Sequence, residues 1–275
     1  MTSAVTPVDS HIRYTERIVC FIDLLGFKGT VDRSTQDEKV LIELHTMLSE
    51  LQANKLAEVV FGGIPMLTSN RQWKTAEQTG TTEAAKSTWP LSITQFSDSF
   101  VFSCPAENFG SCRLLLQTVY AVKLLFFKHL GILMRGGIAK GQLIHEQSGV
   151  LFGPAMNAAY ALESKSAIYP RVLIGTEAAL HLRGKLGVDS DPLLFPMFES
   201  FDGHTAVDMV SLRHLPHTHF KNKEQIKAQL DAIEADIRQN AVDAMPKIRY
   251  LQDRLQQDME DGQSSIPLAA LGQIS

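Results

Sequence analysis

The run Arg17–Phe27, RIVCFIDLLGF, constrains this chain more than any other segment. Its apolar residues follow one another without the alternation of a half-exposed strand. That pattern predicts a strand buried on both faces, and therefore a sheet covered on both sides. One residue breaks it. Asp23 stands near the end of the run, and a carboxylate there is costly to bury unless it is paired or holds a cation. Pairing with an arginine and ligation of a cation are both open on position alone. In the turn that follows, Leu24, Leu25, Gly26 and Phe27 present backbone N–H groups at the start of the next element, where Gly26 keeps the approach open to an anion.

Around this strand the pattern alternates. Residues 36–54 place Val40, Leu41, Leu44, Met47, Leu48 and Leu51 at helical spacing behind acidic residues suited to a helix start. Residues 62–88, rich in Gly, Thr, Ser and Lys, are expected to form a long excursion or flap. LSITQF and FVFSC alternate apolar and polar residues on either side of Ser97-Asp98-Ser99, which predicts a β-hairpin with a carboxylate at its tip. A helix is expected from about Glu107 to His129, closed by Gly131. The next hairpin is formed by ILMRGGIAKGQLI and a partner near Gly149–Phe152, with Gly136, Gly137 and Gly141 marking close backbone approach. Gly153-Pro154 opens a helix through Lys165. RVLIG, FESF and TAVDMVSL follow as short strands. From about Lys221 an apolar stripe, including Ile226, Leu230, Ile233, Ile237, Ile248, Leu251 and Leu255, recurs at steps of three or four, and Pro246 predicts a kink or two helices. A partner helix and a helix packed on its own domain fit the stripe equally. Helices alternating with hairpins indicate an α+β fold rather than a doubly wound parallel sheet.

Charge and composition narrow the function. With 26 basic against 30 acidic residues the net charge is −4, which gives no broad positive field for nucleic acid. The three cysteines, Cys20, Cys104 and Cys112, follow no disulfide or zinc spacing and are expected to be small buried hydrophobes in a reducing compartment. The N-terminal residues lack the apolar core of a secretory signal, and the most apolar long stretch, Leu114–Leu133, is interrupted by Gln117, Lys123, Lys128 and His129 and is too polar to span a bilayer. A cytoplasmic location with no membrane partner is the expectation.

Two carboxylates converging from neighbouring strands suit a two-metal phosphoryl-transfer site. At this point the sequence resembles a family. FIDLLGF, FSDSF, MRGGIAKGQL and GPAMNAAYALE, in that order across roughly Arg17–Gly175, resemble the strand end, metal-binding hairpin, glycine strand and asparagine helix of class III nucleotidyl cyclases. The resemblance implies a ferredoxin-like βαββαβ core and two divalent ions, Mn²⁺ or Mg²⁺, held by Asp23, Asp98 and the backbone carbonyl of Leu24. It implies triphosphate contacts from Leu25, Gly26 and Phe27. It also implies a homodimer with shared active sites, in which Asn157 serves the substrate of the opposite protomer. The organisation expected is a flexible N-terminus over 1–13, a catalytic domain over 14–215 with its flap at about 62–88, a helical extension over 221–262 and a tail over 263–275.

The departures matter as much. Base-reading positions of the purine cyclases fall on Thr94 and Val150, which lack the groups expected for adenine, and the arginine expected four residues after the asparagine is Ala161. The short motif set looks most like the stand-alone pyrimidine cyclases of bacterial Pycsar antiphage systems. That resemblance implies UTP or CTP as substrate, with UTP favoured, and a cyclic nucleotide made as a defence signal. Adenylate or guanylate cyclase activity, and a silent nucleotide-binding scaffold, are the alternatives. Arg135 is the candidate for the missing cation, in base or phosphate contact, with a strand ion pair as its other reading. Lys28, Lys140 and Arg171 are weaker candidates for the same role, with solvated surface charge the expected reading of each. His214, His217 and His219 are expected in a loop, since Pro216 breaks helical spacing.

Overall fold

In chain order the elements are β1 (Thr15–Leu25), α1 (Phe27–Ser34), α2 (Glu38–Glu50), β2 (Pro65–Leu67), β3 (Trp73–Thr75), α3 (Ala76–Thr79), α4 (Thr82–Thr88), β4 (Ser92–Phe96), β5 (Ser99–Pro105) and α5 (Phe109–Leu130). There follow β6 (Leu133–His145), β7 (Leu151–Phe152), α6 (Pro154–Ala161), a π-helical turn (Leu162–Ser166), β8 (Val172–Ile174), α7 (Thr176–Leu186), β9 (Met197–Glu199), β10 (Thr205–Val207), α8 (Lys223–Asn240) and α9 (Met245–Ser264). The computed structural model describes residues 12–50, 65–67, 73–146, 148–186, 197–199, 202–207 and 223–264.

The architecture is α+β. The main sheet runs β4-β5-β1-β6-β8-β10-β9, with β7 paired to β6. β1 is flanked antiparallel by β5 and β6, and β4 pairs antiparallel with β5. With α2 between β1 and β4, and α5 between β5 and β6, this is the ferredoxin-like βαββαβ arrangement; β8 then adds parallel to β6. Continuous apolarity in β1 has the expected origin, because both faces are covered. Ile18, Cys20, Ile22 and Leu24 join Phe100, Phe102, Met134 and Ile138 under α5, while Val19 and Phe21 join Val101, Ala139 and Leu143 under Ala155 and Ala159 of α6.

Local rules account for the ends of these elements. Asn108 caps α5 by accepting from the Ser111 N–H at 2.9 Å, and Gly131 closes it in the left-handed region. Asp37 accepts from the Lys39 N–H at the start of α2. α6 lies directly on the sheet because Gly137 has no side chain: a Cβ there would stand 2.2 Å from the Ala159 carbonyl oxygen. Gly136 meets the Phe21 carbonyl in the same way, whereas Gly141 leaves ordinary van der Waals room.

Several expectations change. Leu41 of α2 is exposed rather than inward, because the buried face runs through Leu44 with Met47 and Leu48. The part of the 62–88 excursion that is described forms the β2–β3 hairpin and the helices α3 and α4. The stripe after Lys221 becomes two helices, and Pro246 occupies the first turn of the second, where its missing N–H has no helical partner to lose. Ile226, Leu230, Ile248, Leu251 and Leu255 enter the same core as the sheet and α5, so α8 and α9 pack on their own chain. α5 is long and apolar enough to cross a membrane, but 67% of that window is buried inside the protein. All three cysteines are buried free thiols. Residues 51–64, 208–222 and 265–275 lie outside the described residues, and with them Leu51, His214, His217, His219 and the C-terminal tail.

Candidate active site

Asp23 and Asp98 meet where β1 ends. The β1–β5 register sets Asp23 opposite Ser99, and the Leu24 N–H donates to the Asp98 carbonyl oxygen at 3.0 Å, which ties the hairpin tip to the strand end. Ser97 takes a positive φ of 42° to make this tight turn. Immediately afterwards Gly26 (φ 80°) caps α1 without any side-chain acceptor, so the first N–H groups of that helix have no side-chain cap. Leu25 and Phe27 flank this glycine. Two carboxylates and a carbonyl oxygen are hard donors that suit Mg²⁺ or Mn²⁺, although no group of three or more His, Cys, Asp or Glu side chains converges among the described residues. The sequence-predicted set Asp23, Leu24, Gly26 and Asp98 is therefore brought together.

Asp23 also has a protein partner. Arg135 of β6 lies opposite it in register, and its Nε stands 3.5 Å from Asp23 Oδ2 and 2.5 Å from Glu163 Oε1, the latter contact lacking hydrogen-bond alignment. Burial pushes the Asp23 carboxyl above its ordinary range, the Arg135 guanidinium draws it back, the Asp98 charge pushes it up again and Lys247 of α9 lowers it. Burial raises Glu163 as well, against the pull of Arg135. Of the two readings of Asp23, the arginine partner is present in the structure, with the charge of Asp98 nearby. Arg135 is engaged within its own chain and not held free.

The helix expected through Lys165 stops at Ala161 and passes into the π-helical turn, where the Ala167 N–H reaches the Leu162 carbonyl. This widened turn tucks Glu163, only 3% exposed, under the sheet end. Glu163 stood in view as the last residue of GPAMNAAYALE, but its inward aim depends on that turn. Lys247 carried no local signal, because α9 reaches Asp23 only through packing far along the chain.

The remaining candidates separate. Asn157 is exposed on α6. Val150 is exposed at the β6–β7 hairpin, its carbonyl accepting from the Glu146 N–H. The hydroxyl of Thr94 on β4 is bonded to His145 Nε2 at 2.8 Å. A cavity of about 410 Å³, lined by His45, Leu48, Ser49, Gln95 and Ser97, opens on the α2 side of the hairpin turn and includes neither Thr94 nor Val150. Lys28 is exposed as expected. Lys140 is instead largely covered and bridges Glu16 and Glu177. Arg171 corrects the surface expectation outright: it is 1% exposed, forked onto Asp202 and set against the stacked rings of Tyr169 and Tyr250. Tyr169 is near it in sequence, but Tyr250 and Asp202 come from distant segments, which is why the sequence hid it.

No family model and no curated protein sequence matches this chain. Among solved structures it is similar to the monomeric guanylyl cyclase domain of the RhoGC fusion protein from the aquatic fungus Blastocladiella emersonii, at 17% identity and a TM-score of 0.41 over 71% of this chain and 95% of that one. It is also similar to the adenylyl cyclase CyaB from P. aeruginosa, at 14% identity and a TM-score of 0.42, covering 71% and 92%. A third is the catalytic core of a rhodopsin-guanylyl cyclase with converted specificity in complex with ATPαS, at 16% and 0.40, covering 71% and 96%. At these identities and TM-scores the similarity is one of outline.

Proposed function

We propose that this chain is a divalent-metal-dependent nucleotide cyclase that converts a pyrimidine nucleoside triphosphate, UTP in preference to CTP, into its 3′,5′-cyclic nucleotide and pyrophosphate. The observation that carries the reading is the juxtaposition of Asp23 and Asp98 beside the uncapped start of α1. In the reaction the 3′-oxygen bonds to the α-phosphorus, the bond from that phosphorus to the bridging oxygen of the β-phosphate breaks, and the hydroxyl proton passes to water. Bound Mn²⁺ or Mg²⁺ supplies positive charge against the attacking and leaving oxygens. Asp23, Asp98 and the Leu24 carbonyl hold that charge in place, and the N–H groups of the α1 start, at Phe27 and after, receive a phosphate oxygen.

The pyrimidine preference, the homodimer with Asn157 acting across it and the role as an antiviral second-messenger enzyme rest on the motif resemblance and on the replaced positions Thr94, Val150 and Ala161. One observation favours a second reading, a silent nucleotide-binding scaffold: Arg135 already stands beside Asp23, its Nε 3.5 Å from Oδ2. Incubation of the purified chain with each of the four NTPs and Mn²⁺, with products identified by mass spectrometry, separates the two. Cyclic UMP is the expected product. A cyclic purine nucleotide alone would sink the pyrimidine assignment, and no cyclic product from any NTP would leave the scaffold. Asp23→Ala and Asp98→Ala are each expected to lower kcat by about a hundredfold or more, since each removes a ligand worth several kcal/mol of transition-state charge stabilisation. Circular dichroism should show an unchanged fold, and retained turnover would remove the metal assignment.

A further inference from the structure

The two C-terminal helices lie outside the βαββαβ arrangement, yet they are fastened to the end of the sheet that carries Asp23. Gln229 of α8 donates from Nε2 to the Phe127 carbonyl oxygen at 3.1 Å, near the C-terminus of α5. One turn on, Ile233 of α8 covers Gly131, where a Cβ would stand 3.3 Å from its Cγ1. Gly131 leads into β6, whose first residues Leu133, Met134 and Arg135 pair with Leu25, Leu24 and Asp23 at the end of β1. A separate contact fastens α9 at the same end. Its Tyr250 ring stacks on Tyr169 with centroids 4.7 Å apart, and the Arg171 guanidinium lies 5.7 Å from the Tyr250 centroid. The Arg171 carbonyl in turn accepts at 3.0 Å from the N–H of Gly136, the residue after Arg135.

Lys247 stands one turn before Tyr250 on α9 and shares its side of the helix by i, i+3 spacing. It is half-buried, and the next residue, Ile248, is fully buried in the core that holds Leu24 and Leu133. Nothing local in α9 favours this lysine, because a cation in the first turn of a helix opposes the helix dipole. Among the described residues no ion pair or hydrogen bond engages its ammonium. Arg135, the neighbouring cation at this end, is already set against Asp23 and Glu163. The charge of Lys247 reaches the Asp23 carboxyl and lowers it, but Asp23 lies beyond ion-pair distance. Its ammonium is thus placed beside the carboxylate end of β1 without being neutralised there. The start of α1, with no side-chain cap at Gly26, adds backbone donors at the same end.

We propose that Lys247 is a phosphate-binding residue which the C-terminal helix pair supplies to the active site, its ammonium donating to an oxygen of the nucleoside triphosphate. An ammonium is a compact donor suited to a phosphate oxygen. This rests on the nucleotide-cyclase reading above and adds to it a contact from outside the βαββαβ arrangement, so that α8 and α9 belong to the site as well as to the core.

The experiment measures equilibrium binding of the 3′-deoxy forms of UTP, CTP, GTP and ATP, which lack the attacking hydroxyl, to the full chain with Mn²⁺. Lys247→Met keeps the length and apolar stem of the side chain and removes its charge. It is expected to weaken the best-bound triphosphate about tenfold, the scale of one charge-assisted hydrogen bond, and Lys247→Arg is expected to keep most of that affinity. Mn²⁺ affinity of the unliganded chain, read by electron paramagnetic resonance, should not fall in Lys247→Met. Triphosphate binding untouched by Lys247→Met overturns the proposal and leaves the cyclase reading standing. An equal loss of Mn²⁺ affinity does the same, since it traces the effect to the metal site. Absence of binding by any of the four nucleotides to the wild-type chain overturns both. Acetylation of Lys247 in the wild-type chain by acetic anhydride, followed by mass spectrometry, gives a check independent of variant folding. It should be slower with triphosphate and Mn²⁺ than with Mn²⁺ alone, and an unchanged rate overturns the proposal.

Discussion

His145 shows how one side chain ties stability to pH. In the folded chain it stays neutral down to about pH 4, against an ordinary value of 6.5, because burial and Arg17 penalise its charge. As pH falls below 6.5 the unfolded chain takes up a proton that the folded chain refuses. The contribution is thus fully present above the unfolded value, and it is lost as pH falls toward 4, to a total of about 3 kcal/mol. Urea unfolding across this range should show His145→Gln lacking that part of the acid slope; an unchanged slope would place the proton elsewhere. Alternation along β6 puts Ala139, Leu143 and His145 on one parity, and Ala139 and Leu143 belong to the α6-side core. The inward aim of His145 was therefore legible. Its partners were not, because Arg17, Ser103 and Thr94 lie on three other strands.

At the scale of elements, α8 and α9 decide a question that periodicity left open. The stripe of Ile226, Leu230, Ile248, Leu251 and Leu255 is equally suited to a partner chain, but all five are buried in the core under the sheet. Leu251→Ala is expected to lower the unfolding free energy of the chain by about 2–5 kcal/mol, the range for truncating a buried leucine. A helix that only joined two protomers would leave the dilute-chain value unchanged, so chemical denaturation at several protein concentrations distinguishes them. The hairpin around Asp98 was the opposite case. Turn residues between two alternating runs define β4 and β5 locally, and the structure differs from that expectation by no more than a residue at each end. The π-helical turn after α6 had no such local signature, and with it went the burial of Glu163.

For the whole molecule the main electrostatic fact is a net charge of −4 with a carboxylate pair at the end of the central strand. An NTP adds further negative charge, so binding should depend on the divalent ion to offset it. The unfolding midpoint is expected to rise with UTP and Mn²⁺ together, by about 2.7 kcal/mol of linkage at a hundredfold excess over Kd, and to stay put with UTP in the presence of a chelator. Equal shifts in both conditions would place the triphosphate on protein cations instead, with Arg135 and Lys247 the first to test.

The sequence alone determined the two-face burial of β1, the succession β1, α2, β4, β5, α5, β6, β7 and α6 and the placement of Asp23 and Asp98 at turn ends, since each follows from apolar spacing and turn chemistry over about ten residues. By contrast α1, α7, the β2–β3 hairpin, α3 and α4 came only with the structure. Only the tertiary structure decided that Arg135 stands between Asp23 and Glu163, that the charge of Lys247 acts on Asp23, that Arg171 is buried and that Thr94 is pinned by His145. Those groups lie tens to hundreds of residues apart, and what a charged or polar side chain does depends on which partners and how much water the packed chain leaves around it.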